Sequence, residues 1–404
     1  MKKVIFVMSS AMLLATSSFG QNGLLITADT RMNENKLDEA AQLVETALTS
    51  GKTKNMAWAY NLAGNIQARI INDEITKATQ NQPLDTTLFL KSLDKAIEYF
   101  TKSHDIDVAP DEKGKVKSKY YKNNFKMMAQ MLPYYQYAGV FQNANKDTQG
   151  AFNSFSKYLN LPKASVFTKN QTDSIYKAHA AEYHRGAYYA SMLAYQMKNW
   201  NDVLAHIDFA LEDEANMNDC YLMKLSSLLS VKDTAKWVES SKEAIKRVPN
   251  NISFAQNLLV YYDMKKLQNE AKTTADEIVA SAPNNPMAWY VRGCILLEAK
   301  NYNDAREAFG KAIGLDDKFI EANMNMGVSY INEVVSQKDN FKLTEKADRE
   351  KVLNYYKQAL PYFEKVRELA PDKPQLWANN LKTVYYNLEN KEKEKEMDAI
   401  LGIK

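Results

Sequence analysis

Small and apolar residues recur through the middle of this chain at a fixed step of 34 positions. One series runs Ser191, Leu225, Leu259, Gly293 and Gly327, a second Val203, Trp237, Ala271 and Ala305, and a third Ala210, Ala244, Ile278 and Ala312. Three series in one register mark a repeat whose unit cannot bury its apolar face alone and stacks on its neighbours. Within each step the apolar positions fall three and four apart in two runs, which predicts two amphipathic helices per unit. In the unit that opens at Pro286 the two runs are 287–300 and 304–315. Glycine (13) and proline (10) are scarce, and no Val/Ile/Thr-rich alternating run is present. The expected fold class is therefore all-α, a solenoid of antiparallel helix pairs.

The unit from Pro286 also carries Trp289, Gly293, Leu296, Tyr302, Ala305, Phe309 and Ala312. That set, with its spacing, resembles the tetratricopeptide repeat, whose units close on a proline. Pro249 and Pro283 fill that closing position one step apart, and Pro371 fills it later. Arg292 stands where the pattern has Leu, and Trp237 where it has Ala. The resemblance implies a right-handed superhelix in which the first helix of each unit lines a concave groove that binds a peptide segment or partner helix. Its groove positions fall on Gln256, Asn257, Tyr290, Asn325, Asn379 and Lys382. Asparagines there can hydrogen-bond the backbone of an extended ligand without reading its side chains. Leu222, Met223, Ser226 and Val260 occupy places where a clamp for acidic C-terminal tails needs Lys, Asn or Arg, so no such clamp is expected.

Units of the same kind extend outward. Ala40, Val44 and Ala47 supply the second helix of a first unit, and Tyr135, Gly139, Ala151, Phe155 and Tyr158 make another. Two units are split. Tyr60 and Gly64 open one whose closing half, Ala96, Phe100 and Ser103, arrives late, and Gly327 and Tyr330 open one closed by Ala359, Phe363 and Val366. Both inserts begin alike, Ile71-Asn72 and Ile331-Asn332, as equivalent lengthened arms of a duplicated array would. The organisation expected is a signal peptide over 1–20, N-terminal units over 21–110 with a helical insert near 71–90, and an extended helical segment over 111–183. A regular array over 184–404 follows, with an insert near 332–351 and a capping helix at its end. Segments 111–131 and 166–183 fall outside the frame, and the second is expected to run into the helix of the next unit.

At the N-terminus, Lys2 and Lys3 precede an apolar stretch over 4–15 and a small-residue exit over 16–20. This is the pattern of a cleaved export signal, and it places the mature chain outside the cytoplasm: periplasmic, secreted or associated with a bacterial envelope. No later stretch is apolar for long enough to span a membrane. The charge falls from 52 − 49 = +3 to 50 − 49 = +1 once the two signal lysines are removed, so charge gives no reason to expect a nucleic-acid partner. Cys220 and Cys294 lie two units apart, roughly 20 Å if helices are spaced by 8–10 Å. That is beyond disulfide reach, and two thiols are expected.

Little in the sequence supports catalysis. Ser50-Gly51-Lys52-Thr53 ends like a phosphate loop, but Thr46 stands where that loop needs glycine and a helix leads in, so Gly51 reads as a helix-ending residue. His179 and His184 are five apart, about 140° around a helix, whereas a zinc pair sits four apart. No cofactor or metal site is expected, and the chain reads as a non-enzymatic scaffold for a protein or peptide partner. An alternative draws on the first half, where aromatics are dense and Lys115, Lys119, Lys122 and Lys126 form one helical stripe beside Tyr121, Phe125, Met128 and Leu132. That pattern fits first a surface helix packed by its apolar stripe with its lysines in water; the alternative reading is a binder of glycan or cell-wall polymer. Asp85-Thr86-Thr87, Asp173-Ser174-Ile175 and Asp233-Thr234-Ala235 resemble a short bacterial O-glycosylation pattern.

Overall fold

The computed structural model describes residues 22–403 apart from Lys117 and Leu343, so the expected export signal lies outside the described residues. The described residues are helical, with no strand among them. They divide into two compact units, with the boundary between Asn216 and Met217.

The first unit holds α1 (Gly23–Asn33) packed on α2 (Leu37–Thr49), and α3 (Met56–Thr79) on α4 (Thr86–Asp107). A single helix, α5 (Tyr121–Met131), lies against α4, followed by the pair α6 (Tyr134–Ala144) and α7 (Thr148–Asn160). Another single helix, α8 (Lys169–Ala178), precedes the pair α9 (Ala180–Gln196) and α10 (Trp200–Ala210). The second unit is five successive pairs. They are α11 (Met217–Ser230) with α12 (Thr234–Arg247), α13 (Ile252–Lys265) with α14 (Gln268–Ser281), and α15 (Pro286–Glu298) with α16 (Tyr302–Leu315). The last two are α17 (Ile320–Ser336) with α18 (Lys346–Leu369) and α19 (Ala378–Asn387) with α20 (Lys391–Leu401).

One contact recurs inside these pairs. A Cβ added at Gly64 would lie 2.6 Å from Phe100, at Gly139 2.9 Å from Phe155, at Gly293 2.5 Å from Phe309 and at Gly327 2.6 Å from Phe363. Each glycine lets the ring of the second helix lie flat on the backbone of the first, and all four rings are buried. The spacing also measures the inserts. Glycine and phenylalanine are 309 − 293 = 16 and 155 − 139 = 16 apart in compact pairs, but 100 − 64 = 36 and 363 − 327 = 36 in the split ones. Each split unit has gained 20 residues, which appear as the long helices α3 and α4 and α17 and α18. In this register Ile71 lies 71 − 64 = 7 past its glycine and Ile331 only 331 − 327 = 4, so the two Ile-Asn pairs are not equivalent positions.

The turn within each pair is built by an unexpected residue. Lys198, Lys232, Lys266 and Lys300, again 34 apart, have φ of 59°, 61°, 54° and 59°. This left-handed residue ends the first helix, and the next amide reaches back to it. Asn199 donates to the Ala194 carbonyl at 2.9 Å, Asp233 to Leu228 at 2.9 Å, Leu267 to Tyr262 at 3.0 Å and Asn301 to Leu296 at 2.8 Å. These are helix-closing motifs usually made with glycine. Gly51, at φ 65°, follows the end of α2 as the sequence implies.

Two junctions in the first unit are polar. Asp107, the last residue of α4, accepts from the amides of Lys119 at 2.9 Å, Tyr120 at 2.7 Å and Tyr121 at 2.9 Å and from the Ser118 hydroxyl at 2.8 Å. It thus caps the start of α5. Asn124, buried in α5, accepts from Asn61 at 2.8 Å and donates to Ser103 at 3.0 Å, which fastens α5 to α3 and α4. The segment expected to run straight into α9 instead breaks at His179, whose backbone leaves the helical region at φ −124°, ψ 35°. In the second unit, Arg306 pairs with Glu333 at 2.7 Å and lies 4.5 Å from the Tyr330 ring, while Tyr355 donates to Glu333 at 3.0 Å. That cluster joins α16, α17 and α18.

Candidate protein-binding groove

The first helices of the central pairs form a row in the second unit, since α13 touches α15 and α15 touches α17. Gln256 and Asn257 are exposed on α13. One and two turns further along lie Val260 and Met264, 56% and 76% exposed. This i, i+4, i+8 spacing gives α13 an open face that begins with amides and ends with apolar side chains. Val260 is one of the groove positions that lack a clamp residue, while Met264 escapes a reading keyed to fixed groove positions. Their signal is two apolar residues on the face opposite the buried Phe254, Ala255, Leu258 and Tyr262.

Beside this face, a crevice of about 410 Å³ opens between the turn of the α13–α14 pair and the end of α15, lined by Val260, Gln268, Ala271, Cys294 and Leu296. Its origin is legible in the repeat. The first position of the second helix is aromatic at Trp200 and Tyr302, but it is Thr234 and Gln268 in the two intervening units. Gln268 lines this crevice, and Thr234 lines a second one of about 750 Å³ beside Val238, Tyr261 and Tyr262. Both crevices therefore open where the first position of the second helix carries no aromatic ring.

The remaining groove positions are placed differently. Tyr290 is a packing residue, 5% exposed, with its ring 5.0 Å from Phe319 and 6.2 Å from Phe309. Desolvation raises its phenol well above the ordinary value. Asn325, partly buried, donates at 3.4 Å to both the Tyr290 hydroxyl and the Cys294 sulfur. Lys382 pairs with Asp398 of α20 at 2.6 Å. Asn379 is exposed on α19. The structure thus joins Tyr290 to Asn325 and Gln256 to Asn257, and leaves Asn379 and Lys382 in the last pair.

Burial pushes the Cys294 thiol up to about 12, so at neutral pH it is protonated and serves as packing. Cys220 is buried, and the two cysteines form no disulfide. His179 is exposed at the α8–α9 break, while His184 meets Phe209 edge-on at 4.8 Å. Among the described residues no group of three metal-ligating side chains occurs, and no helix is long and apolar enough to cross a membrane. In the three Asp-Ser/Thr motifs, Asp85 and Asp233 cap helices by accepting from the amides of Leu88 at 2.9 Å and Lys236 at 3.1 Å. Asp173 instead pairs with Lys169 at 2.7 Å within α8. Arg292 reaches back to Asp276 at 2.9 Å, and Trp237 packs 5.3 Å from Tyr261.

Stacked helix pairs, four of them closed on a glycine–phenylalanine contact, define a helical-repeat protein. The family model of the tetratricopeptide repeat matches residues 286–319, the α15–α16 pair that carries the Gly293–Phe309 contact. Residues 286–319 are thus a tetratricopeptide repeat. Among solved structures the chain is similar to a TPR repeats protein of Bacteroides fragilis NCTC 9343, at 17% identity over 67% of this chain and 98% of that one with a TM-score of 0.35. It is also similar to the C-terminal part of a TPR repeat-containing protein of Cytophaga hutchinsonii, at 14% identity over 65% and 92% with a TM-score of 0.37. A third is MamA of Desulfovibrio magneticus RS-1, at 18% identity over 47% and 96% with a TM-score of 0.29. No functionally curated protein matches the chain.

Proposed function

We propose that this protein is a non-enzymatic adaptor of the bacterial envelope that holds a partner protein along the first-helix row of its second unit. The observation that carries the reading is the open face of α13, where the exposed Val260 and Met264 adjoin the exposed amides of Gln256 and Asn257 and a crevice of about 410 Å³. Apolar anchors beside amides that can bond any peptide backbone suit a polypeptide ligand. Export is supported by Lys2, Lys3 and the apolar stretch that follows them. A glycan reading draws less support from the first unit, where Tyr135, Phe155, Tyr158 and Tyr183 are buried, with Tyr158 stacked on Tyr183 at 4.3 Å, and Tyr137 and Phe141 are the exposed rings of α6.

The test is copurification with the tagged chain from crosslinked cells, comparing wild type with Val260→Asp/Met264→Asp. The adaptor reading expects a dominant partner protein that the double variant loses. A partner retained by the variant refutes the groove, and a mature N-terminus that still includes residues 1–20 refutes export.

A further inference from the structure

Helix α6 has no charged residue at any position, and it is apolar on both sides. Tyr135, Ala138 and Gly139 are buried against its neighbours, yet Tyr137, Val140 and Phe141 stand 64%, 53% and 48% exposed. A helix apolar all round is normally one that is covered. The outward side adjoins a crevice of about 560 Å³ between α6 and the lengthened arm of α3 and α4. Ile75, Leu84 and Phe89 line it from the arm, and Tyr134, Tyr137 and Phe141 from α6. No charged side chain is among its lining residues.

The α5–α6 wall carries one sign of charge, while the opposite arm holds Glu74 and Asp85 next to the lining residues Ile75, Leu84 and Thr86. From Lys113 to Lys146 the sequence has seven lysines and no Asp or Glu, in a chain whose whole net charge is only +3. Helix α5 runs on into α6 with a bend, because Leu132 and Pro133 keep helical backbone angles. Lys126 precedes Tyr137 by roughly 17 Å of helical path, at 1.5 Å per residue. Lys119, Lys122 and Lys126 are exposed, and among the described residues none of them forms an ion pair. Some lysines elsewhere in the unit are matched, as Lys157 is to Asp94 at 2.7 Å and Lys95 to Glu45 at 2.8 Å. A stretch of unmatched lysine beside an uncharged recess is complementary to a ligand that is acidic and apolar together.

We propose that the α6 crevice and the lysines of α5 form a second docking site, which takes an acidic amphipathic segment of a partner protein. Its aromatic or aliphatic side chains seat between Phe89, Tyr137 and Phe141, and its carboxylates lie along Lys119, Lys122 and Lys126. The apolar groups line a recess, which receives protruding side chains and has no flat face to offer a lipid surface. The site lies in the first unit and stands independently of the groove on α13.

Selection of a displayed random-peptide library on the whole mature chain tests this. Val260→Asp/Met264→Asp serves as a control that blocks only the α13 face. Selected peptides are expected to combine Asp and Glu with paired aromatic or aliphatic residues and to bind that control unchanged. They should weaken at least about tenfold, and further with added salt, against either Tyr137→Ser/Phe141→Ser or Lys122→Glu/Lys126→Glu. All four substituted residues are exposed, and an unchanged thermal midpoint verifies the fold. Peptides without acidic enrichment, or binding indifferent to both variants, overturn the proposal. So does preferential adsorption of the chain to anionic phosphatidylglycerol vesicles.

Discussion

A Cβ at Gly293 would lie 2.5 Å from the ring of Phe309, a distance no real side chain tolerates without movement of one partner. Phe309 is fully buried and has nowhere to go. The preceding units solve the same packing problem the other way round. One step back, Gly293 becomes Leu259 while Phe309 becomes Ala275, and two steps back the pair is Leu225 and Ser241. Volume is conserved across the helix pair while the large residue changes sides.

This exchange predicts strong coupling. Gly293→Leu alone should cost at least about 2 kcal/mol through overpacking, and Phe309→Ala alone about 3–5 kcal/mol through the cavity it leaves. The double variant reproduces the Leu259–Ala275 arrangement and should recover a large part of the sum. Urea unfolding of the four proteins measures the coupling, and strict additivity would mean the two positions do not share a space.

The left-handed lysines predict an effect of the opposite sign. Lys266 and Lys300 hold φ of 54° and 59° where glycine carries no Cβ penalty. Lys300→Gly should stabilise by about 0.5–1 kcal/mol, while Lys300→Val, branched at Cβ, should destabilise. Thermal midpoints of the two variants, moving in opposite directions, check this.

Acid sensitivity should localise to the α4–α5 junction. Burial acts to raise the Asp107 carboxyl, but the amides of Lys119, Tyr120 and Tyr121 and the Ser118 hydroxyl outweigh it and hold the group below its ordinary value of 3.8. A carboxyl depressed on folding contributes stability that is present above the unfolded pKa and lost as pH falls through the folded one. Asp107→Asn should therefore cost about 2 kcal/mol near neutrality, and its deficit against wild type should shrink as pH falls below about 4. A deficit independent of pH would mean that the charge has no part in the cap.

The pair-by-pair architecture was legible because the glycine, aromatic and alanine positions recur in the same order within each unit, even where an insert of 20 residues breaks the 34-residue step. Ala40, Val44 and Ala47 are all buried on α2, and the Lys393–Glu396 pairing on α20 follows the i, i+3 spacing of its charges. Other features were hidden for physical reasons. Lysine is a poor signal for a left-handed turn, although the 34-residue step of Lys198, Lys232, Lys266 and Lys300 was there to be read. Asp107 caps a helix whose first residue lies 121 − 107 = 14 positions further on, so no local motif announces it. The groove was harder still. Pattern position alone cannot separate the buried Tyr290 from the open Gln256, because that depends on whether the next unit supplies a residue such as Phe319 to cover the ring.

The adaptor account is tested most directly by site-specific photocrosslinking in intact cells, with the reactive group placed in turn at Met264, at Gln256 and at Glu307 on α16, all of them exposed. The account predicts one protein adduct of the same mass from Met264 and Gln256 and none from Glu307. Equal adducts from all three positions, or an adduct from Glu307 alone, would contradict it.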